Sequence, residues 1–209
     1  VVAYTDLCLR NVRYSKALDN DEAKALAYAK YGLNLGFSGM NARFGLPSFR
    51  KKSLSVKYGE MGVEHAHRDS RPEVQASCET SLGLTLYCAG ELPRAETVLW
   101  NAEKTLRRCG GLHASYCYHF LRHTYSVVGD VAKVFETAER EREVSASFNY
   151  TEPVGWAHYG LTHGYALAGR IDEALRAADE SIRLLNANKS VFCAIAYMEK
   201  GFALVQDSR

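Results

Sequence analysis

The feature that most constrains this chain is a helical hairpin that recurs at a fixed interval. Its clearest copy spans residues 157–178, two amphipathic segments broken at Gly169-Arg170. Leu161 and Tyr165 repeat at i, i+4 on the first segment, and Ile171, Ala174, Leu175 and Ala178 share a face of the second. Ala174, Ala177 and Ala178 are small enough to let the two backbones approach closely. Glycines at 90, 129 and 169 break helical periodicity in the same way, at intervals of 39 and 40 residues. A single hairpin cannot bury its apolar face alone, so the spacing predicts an all-α chain in which hairpins stack on one another.

Residues 1–18 carry Val2, Leu7, Leu9, Val12 and Tyr14, the pattern of one helix that caps the array or ends a preceding repeat. Asp19-Asn20-Asp21 is a capping cluster for a helix over about 21–38, with Gly36, Gly39 and Gly45 blurring its exit. Pro47 suits the first turn of a helix over about 47–61. Gly62 to Pro72, with its polar string His65-Ala66-His67-Arg68-Asp69-Ser70-Arg71, reads as a linker. Helix pairs are then expected at about 73–89 with 92–109, 112–128 with 130–147, and 153–168 with 170–186. Gly110-Gly111 stops the first pair, Asn186-Ala187-Asn188-Lys189 is a loop, and 190–207 is one further helix. The domain reading is thus an N-terminal helix over 1–20 and a repeat region over 21–209 whose last hairpin is incomplete. The start lacks an initiator Met, and the chain is expected to be a piece of a longer protein.

The residues within the hairpins carry a resemblance. Leu82-Gly83-x-x-Leu86 on a first helix is followed by Ala95 and Ala102 on the second. Leu161-Thr162-x-x-Tyr165 with Ala174 and Ser181, and Leu121-Arg122-x-x-Tyr125 with Val134 and Glu141, are the equivalents. Tyr31-Gly32-x-x-Leu35 and Lys200-Gly201-x-x-Leu204 extend the series. Over about residues 21–209 the chain resembles the tetratricopeptide-like (TPR-like) family. Its period near 40 is similar to the long repeats of bacterial signal-transduction ATPases and maltose-regulator-type activators. The resemblance implies an α-solenoid of about five TPR-like hairpins in a right-handed superhelix, with first helices lining a concave groove. It also implies a non-catalytic scaffold or regulatory module that binds a protein or peptide, within a larger cytoplasmic signalling protein. The alternative is a small-molecule effector domain controlling an attached ATPase or DNA-binding domain. The middle hairpin departs from the pattern at Arg122, Val134 and Glu141, and is expected to splay.

Composition removes several other classes. The formal charge of +2 announces neither nucleic acid nor an anionic membrane surface. No apolar run approaches the roughly 18 residues that would span a bilayer, and no signal peptide is recognisable. The six cysteines, at 8, 78, 88, 109, 117 and 193, form no CxxC pair and mostly fall on apolar helix faces, as buried free thiols do.

Candidate chemistry is sparse. His119 and His123 lie at i, i+4 on one helix, and His163 holds the place of His123 in the next repeat. Three imidazoles could hold zinc, but no carboxylate stands in register, so groove-lining histidines and no metal are expected. His65-x-His67-x-Asp69 lies beside Arg68 and Arg71, whose charges oppose a cation. Arg50-Lys51-Lys52 with Lys57 could touch phosphates but reads as a solvated face, and so does Glu139-Arg140-Glu141-Arg142-Glu143. Gly160-Leu161-Thr162-His163-Gly164 imitates a nucleophile elbow only if Thr replaces Ser, and it falls within a helix. No cofactor and no enzyme activity are expected.

By register, the residues left over for an inner surface are Thr80, Leu84 and Tyr87, then Tyr116, His119 and His123. Trp156, Tyr159 and His163 follow, then Met198 and Phe202. Aromatic rings and histidines pair apolar area with a polar tip, the makeup of binding hot spots. The alternative is that these rings fill a tightly wound superhelix.

Overall fold

In a computed structural model the chain is described over residues 2–41, 49–109 and 112–207, with side chains at 6–37, 54–68, 70–108 and 112–207. The described residues form ten α-helices and no strand. They fall into two compact units, Val1–Cys109 and Gly110–Arg209. The first holds α1 (Val2–Lys16), α2 (Asp21–Asn41), α3 (Phe49–Asp69), α4 (Pro72–Ala89) and α5 (Leu92–Cys109). The second holds α6 (Leu112–Val128), α7 (Val131–Ser147), α8 (Thr151–Leu167), α9 (Ile171–Ala187) and α10 (Cys193–Gln206). No helix among the described residues is long and apolar enough to cross a membrane.

The three turn glycines are where periodicity placed them. Gly90, Gly129 and Gly169 take φ of 84°, 77° and 72°, a left-handed conformation that ends a helix without a Cβ penalty. At Gly90 the turn is closed by Gly90 N–H donating to Tyr87 O and Glu91 N–H to Leu86 O, both at 3.0 Å. Gly83, Ala95, Ala102 and Ala174 are all buried, as close helix contacts require. Gly83 faces Leu99 of α5, with no room between them for a methyl group.

One expectation fails in the first unit. The stretch from Gly62 to Asp69 is not a linker but the second half of α3. His65 turns to α2 and His67 to α4, while Ala66 between them is fully buried in a cluster with Ala25, Ala29, Val74 and Cys78. Gly62 lies so close to α2 that an added Cβ would stand 2.7 Å from Ala29 N. The metal-like string is therefore a helix surface: His65 Nδ1 pairs with Asp21 Oδ1 at 2.6 Å, and His67 Nε2 with Glu79 Oε1 at 2.9 Å. The expectations on Gly45, Pro47 and Gly110-Gly111 lie outside the described residues, as do the side chains of Arg50, Lys51, Lys52, Asp69 and Cys109. Cys8, Cys78, Cys88 and Cys117 are buried free thiols, and Cys193 is half-buried.

Candidate functional site: the buried polar cluster of the second unit

The middle hairpin does not splay. Ser115 Oγ and Ser145 Oγ meet at 2.9 Å at its open end, and near the turn Lys133 Nζ stands 4.7 Å above the Tyr125 ring. Asp130 caps α7 by accepting from Lys133 N–H. Val134 is fully buried. The two charged departures from the repeat pattern face one another inside: Arg122 of α6 is 1% exposed and Glu141 of α7 is 0%. Two ionisable side chains at positions that are small in the neighbouring repeats thus face one another in the interior. That pattern was readable from the sequence as a coupled exchange, although its geometry was not.

Around this pair the rings of α6 and α8 converge. Arg122 Nη2 donates to His119 Nδ1 at 3.0 Å and reaches the Trp156 carbonyl at 3.4 Å. An Nδ1 that accepts leaves the His119 proton on Nε2, where it meets Tyr159 Oη at 3.0 Å. The guanidinium lies 4.8 Å from the centre of the Tyr159 ring. Glu141 Oε1 is 3.4 Å from His119 Nδ1, and Glu141 Oε2 is 3.5 Å from Arg122 Nε. Neither carboxylate oxygen has a short hydrogen bond, and the buried Trp156 Nε1 has no hydrogen-bond partner. The indole packs against Tyr116 and Phe192, with ring centres 5.2 and 5.1 Å away.

Electrostatics follow from this burial. Loss of water pushes the Glu141 carboxyl up to about 8, and the attraction of Arg122 only partly offsets it. Burial, then the Arg122 charge, hold His119 well below the ordinary histidine range, so it is neutral at pH 7. The same two causes, in the same order, hold His123 down. Burial also raises the Tyr159 phenol. There is no water to solvate a His119 cation, and a fixed positive charge stands 3.0 Å away.

The surface residues expected from register divide into several groups. Thr80 and Leu84 are buried in the first unit, Thr80 donating to the Ala76 carbonyl at 2.8 Å. Tyr87 is half-buried against the cluster of Val56, Leu82, Leu86 and Ala95. In the second unit His119, Trp156 and Tyr159 are interior and do not line an open groove; the first helices pack too closely to leave one over them. Tyr116, His123, His163 and Phe202 are half-buried. His163 Nδ1 pairs with Glu199 Oε2 at 2.9 Å, and its ring stacks on Phe202 at 5.2 Å. Met198, one turn before Phe202 on α10, is 72% exposed.

The carboxylates that seemed missing beside the histidines come from other helices, Glu141 for His119 and Glu199 for His163. Even so, among the described residues no group of three or more His, Cys, Asp or Glu is placed to hold a metal ion. The imitation of a nucleophile elbow is continuous helix, and Thr162 Oγ1 donates to the His158 carbonyl at 3.0 Å. A shallow hollow of about 410 Å³ over α7–α9 is lined by residues of both charges, including Glu139, Arg142, Glu173, Arg176 and Glu180.

Compared with known protein families and with curated protein sequences, the chain matches none.

Proposed function

We propose that this chain is a non-catalytic binding module, a TPR-like α-solenoid of hairpins in a right-handed superhelix that receives a peptide or partner-protein segment. The observation that carries the reading is the pairing of a rigid interior with polar-tipped rings at its margin. His123 of α6 and His163 of α8 are half-buried, and behind them His119, Arg122, Glu141 and Tyr159 lock the two helices together. Rings fixed in this way lose little freedom on binding, which favours recognition of an extended segment by stacking and hydrogen bonds. Tyr116 and Phe202 extend the same chemistry along α6 and α10. No covalent step belongs to this reading: the best-placed hydroxyl, Thr162, is engaged by its own helix. On this reading the module would belong to a larger regulatory protein, as the resemblance implies.

The test is a library of fluorescently labelled peptides screened against the whole chain, with the best binders titrated. His123→Ala combined with His163→Ala should weaken them at least about tenfold, the loss of two modest contacts. The far-ultraviolet circular dichroism should stay unchanged. Undiminished binding by the double variant would overturn the assignment of this face.

A further inference from the structure

The carboxylates of the second unit fall into two kinds. On α7 and α9, Glu136, Glu139 and Glu180 each pair with an arginine of their own helix, and Asp179 pairs with Lys200 of α10 at 2.6 Å. Glu152 of α8 and Glu199 of α10 have no lysine or arginine partner among the described residues. Ser190 Oγ donates to Glu152 Oε1, and Glu199 Oε2 meets His163 Nδ1 at 2.9 Å. Both carboxylates are half-buried, where an anion without a cation beside it is costly. The first helices have no cation to spare. Helices α6, α8 and α10 hold one arginine and one lysine between them, Arg122 in the interior and Lys200 engaged by Asp179.

These two carboxylates mark the ends of a single stripe. Glu152, Trp156, Tyr159 and His163 follow at i, i+4, i+7 and i+11 along α8, and Glu199 joins the far end through His163. Tyr116 and Phe192 pack on Trp156, and Phe202 stacks on His163. We infer that the segment received by this face is basic, with a lysine or arginine at each end and uncharged residues between. The inference rests on the peptide-binding reading and assigns that peptide its chemistry. A cation at either end gains a carboxylate and an aromatic ring together. The middle is uncharged because the Arg122 guanidinium is fixed there, 4.8 Å from the centre of the Tyr159 ring, and repels a third cation. Trp156 Nε1 is a buried donor without an acceptor, which a backbone carbonyl of the segment satisfies once Tyr116 or Phe192 turns aside. Length sets the spacing. From Glu152 to His163 helix α8 rises roughly 16 Å, which an extended chain covers in about five residues. Two basic side chains about four residues apart share one side of such a chain, and their long stems reach the remainder.

Fluorescence anisotropy with the whole chain tests it, using the peptide library of the preceding test with each uncharged core in three versions. The two flanking positions, about four residues apart, carry lysine in the first, glutamine in the second and glutamate in the third. Lysine versions should bind about tenfold tighter than glutamine versions, and glutamate versions more weakly than both. The lysine advantage should shrink below about threefold in about 0.5 M salt. Glu152→Gln and Glu199→Gln should each weaken the lysine versions about threefold and leave the glutamine versions unchanged. The amide keeps an oxygen for Ser190 or His163 and removes only the charge. Equal binding of lysine and glutamine versions overturns the inference and leaves the face a peptide site. So does a lysine advantage that both variants leave intact. A library with no binder in any version overturns the peptide reading and this inference with it.

Discussion

Glu141 should give the protein a falling stability on the alkaline side of neutrality. Its carboxyl is fully buried and titrates at about 8, against 4.5 in an unfolded chain. Between those values the folded state holds a proton that the unfolded state has released. Stability from this group is therefore complete below pH 4.5 and is lost as pH rises towards 8. The loss is about 1.4 kcal/mol per pH unit, or about 2 kcal/mol between pH 6.5 and 8. His119 and His123 act in the opposite sense. Their folded values lie well below 6.5, so the unfolded chain binds the extra protons and stability rises with pH up to about 6.5. The two limbs together place the maximum near pH 6.5–7.

The measurement is urea unfolding at half-unit steps from pH 5 to 8.5, wild type beside Glu141→Gln. The amide keeps the shape and cannot ionise, so the difference between the two proteins isolates Glu141 from every other titrating group. The variant should gain on the wild type by about 2 kcal/mol between pH 6.5 and 8. A constant difference across that range would mean that Arg122 keeps the carboxylate ionised throughout, and the desolvation argument would be refuted.

Four further outcomes follow from the packing. Glu141→Leu should cost roughly 3–5 kcal/mol in urea unfolding above about pH 8, where Glu141 is ionised and its loss leaves Arg122 buried without a counter-ion. Arg122→Met should cost clearly less, since Glu141 can take up a proton, and the double variant should be close to wild type. Ala95→Leu, at a fully buried position facing Leu82 and Leu86, should overpack α4 against α5 by about 1–3 kcal/mol, read as a lowered melting temperature. Gly129→Ala meets no neighbour within 4 Å, so its cost of about 1–2 kcal/mol is conformational alone, and urea unfolding that matches the wild type would show that the turn has rearranged.

The hairpins of the repeat were legible because their signals are local. A left-handed glycine at 90, 129 or 169 ends one helix and the next period begins at once, so α4–α9 fall within two residues of expectation. The second half of α3 was hidden by the same local reading. His65, His67 and Arg68 look like a loop until the partners are known: Asp21 for His65, Glu79 for His67 and Glu64 for Arg68. Glycine at 62 there serves close packing against Ala29, not a turn. At the site, register put Tyr116, His119, Trp156 and Tyr159 on one side of successive helices, and they do meet. Whether they face solvent depends on how closely α6 and α8 approach, a distance set by residues on both helices that no single periodic pattern contains.

That distance is set at Gly160. An added Cβ there would collide with Cδ, Nε and Cζ of Arg122, so the absence of a side chain on α8 is what makes room for the long one on α6. The corresponding first-helix residue is Gly83 in α4 and Thr162 in α8, and neither needs such a recess. Arg122, once admitted, needs polar partners in the interior: His119 and the Trp156 carbonyl supply acceptors, and Glu141 faces it from the position that holds Ala102 in α5 and Ser181 in α9. Ser181 shows the milder form of the same accommodation, donating to the Gly155 carbonyl at 2.8 Å. Arg122 then fixes the tautomer of His119 and, through it, the Tyr159 hydroxyl. Three departures from an apolar repeat, at 122, 141 and 160, thus form one compensated exchange. Gly160→Ala alone should therefore displace Arg122 and unsettle Glu141 and His119 with it, a larger effect than one methyl group produces where the neighbour is free to move.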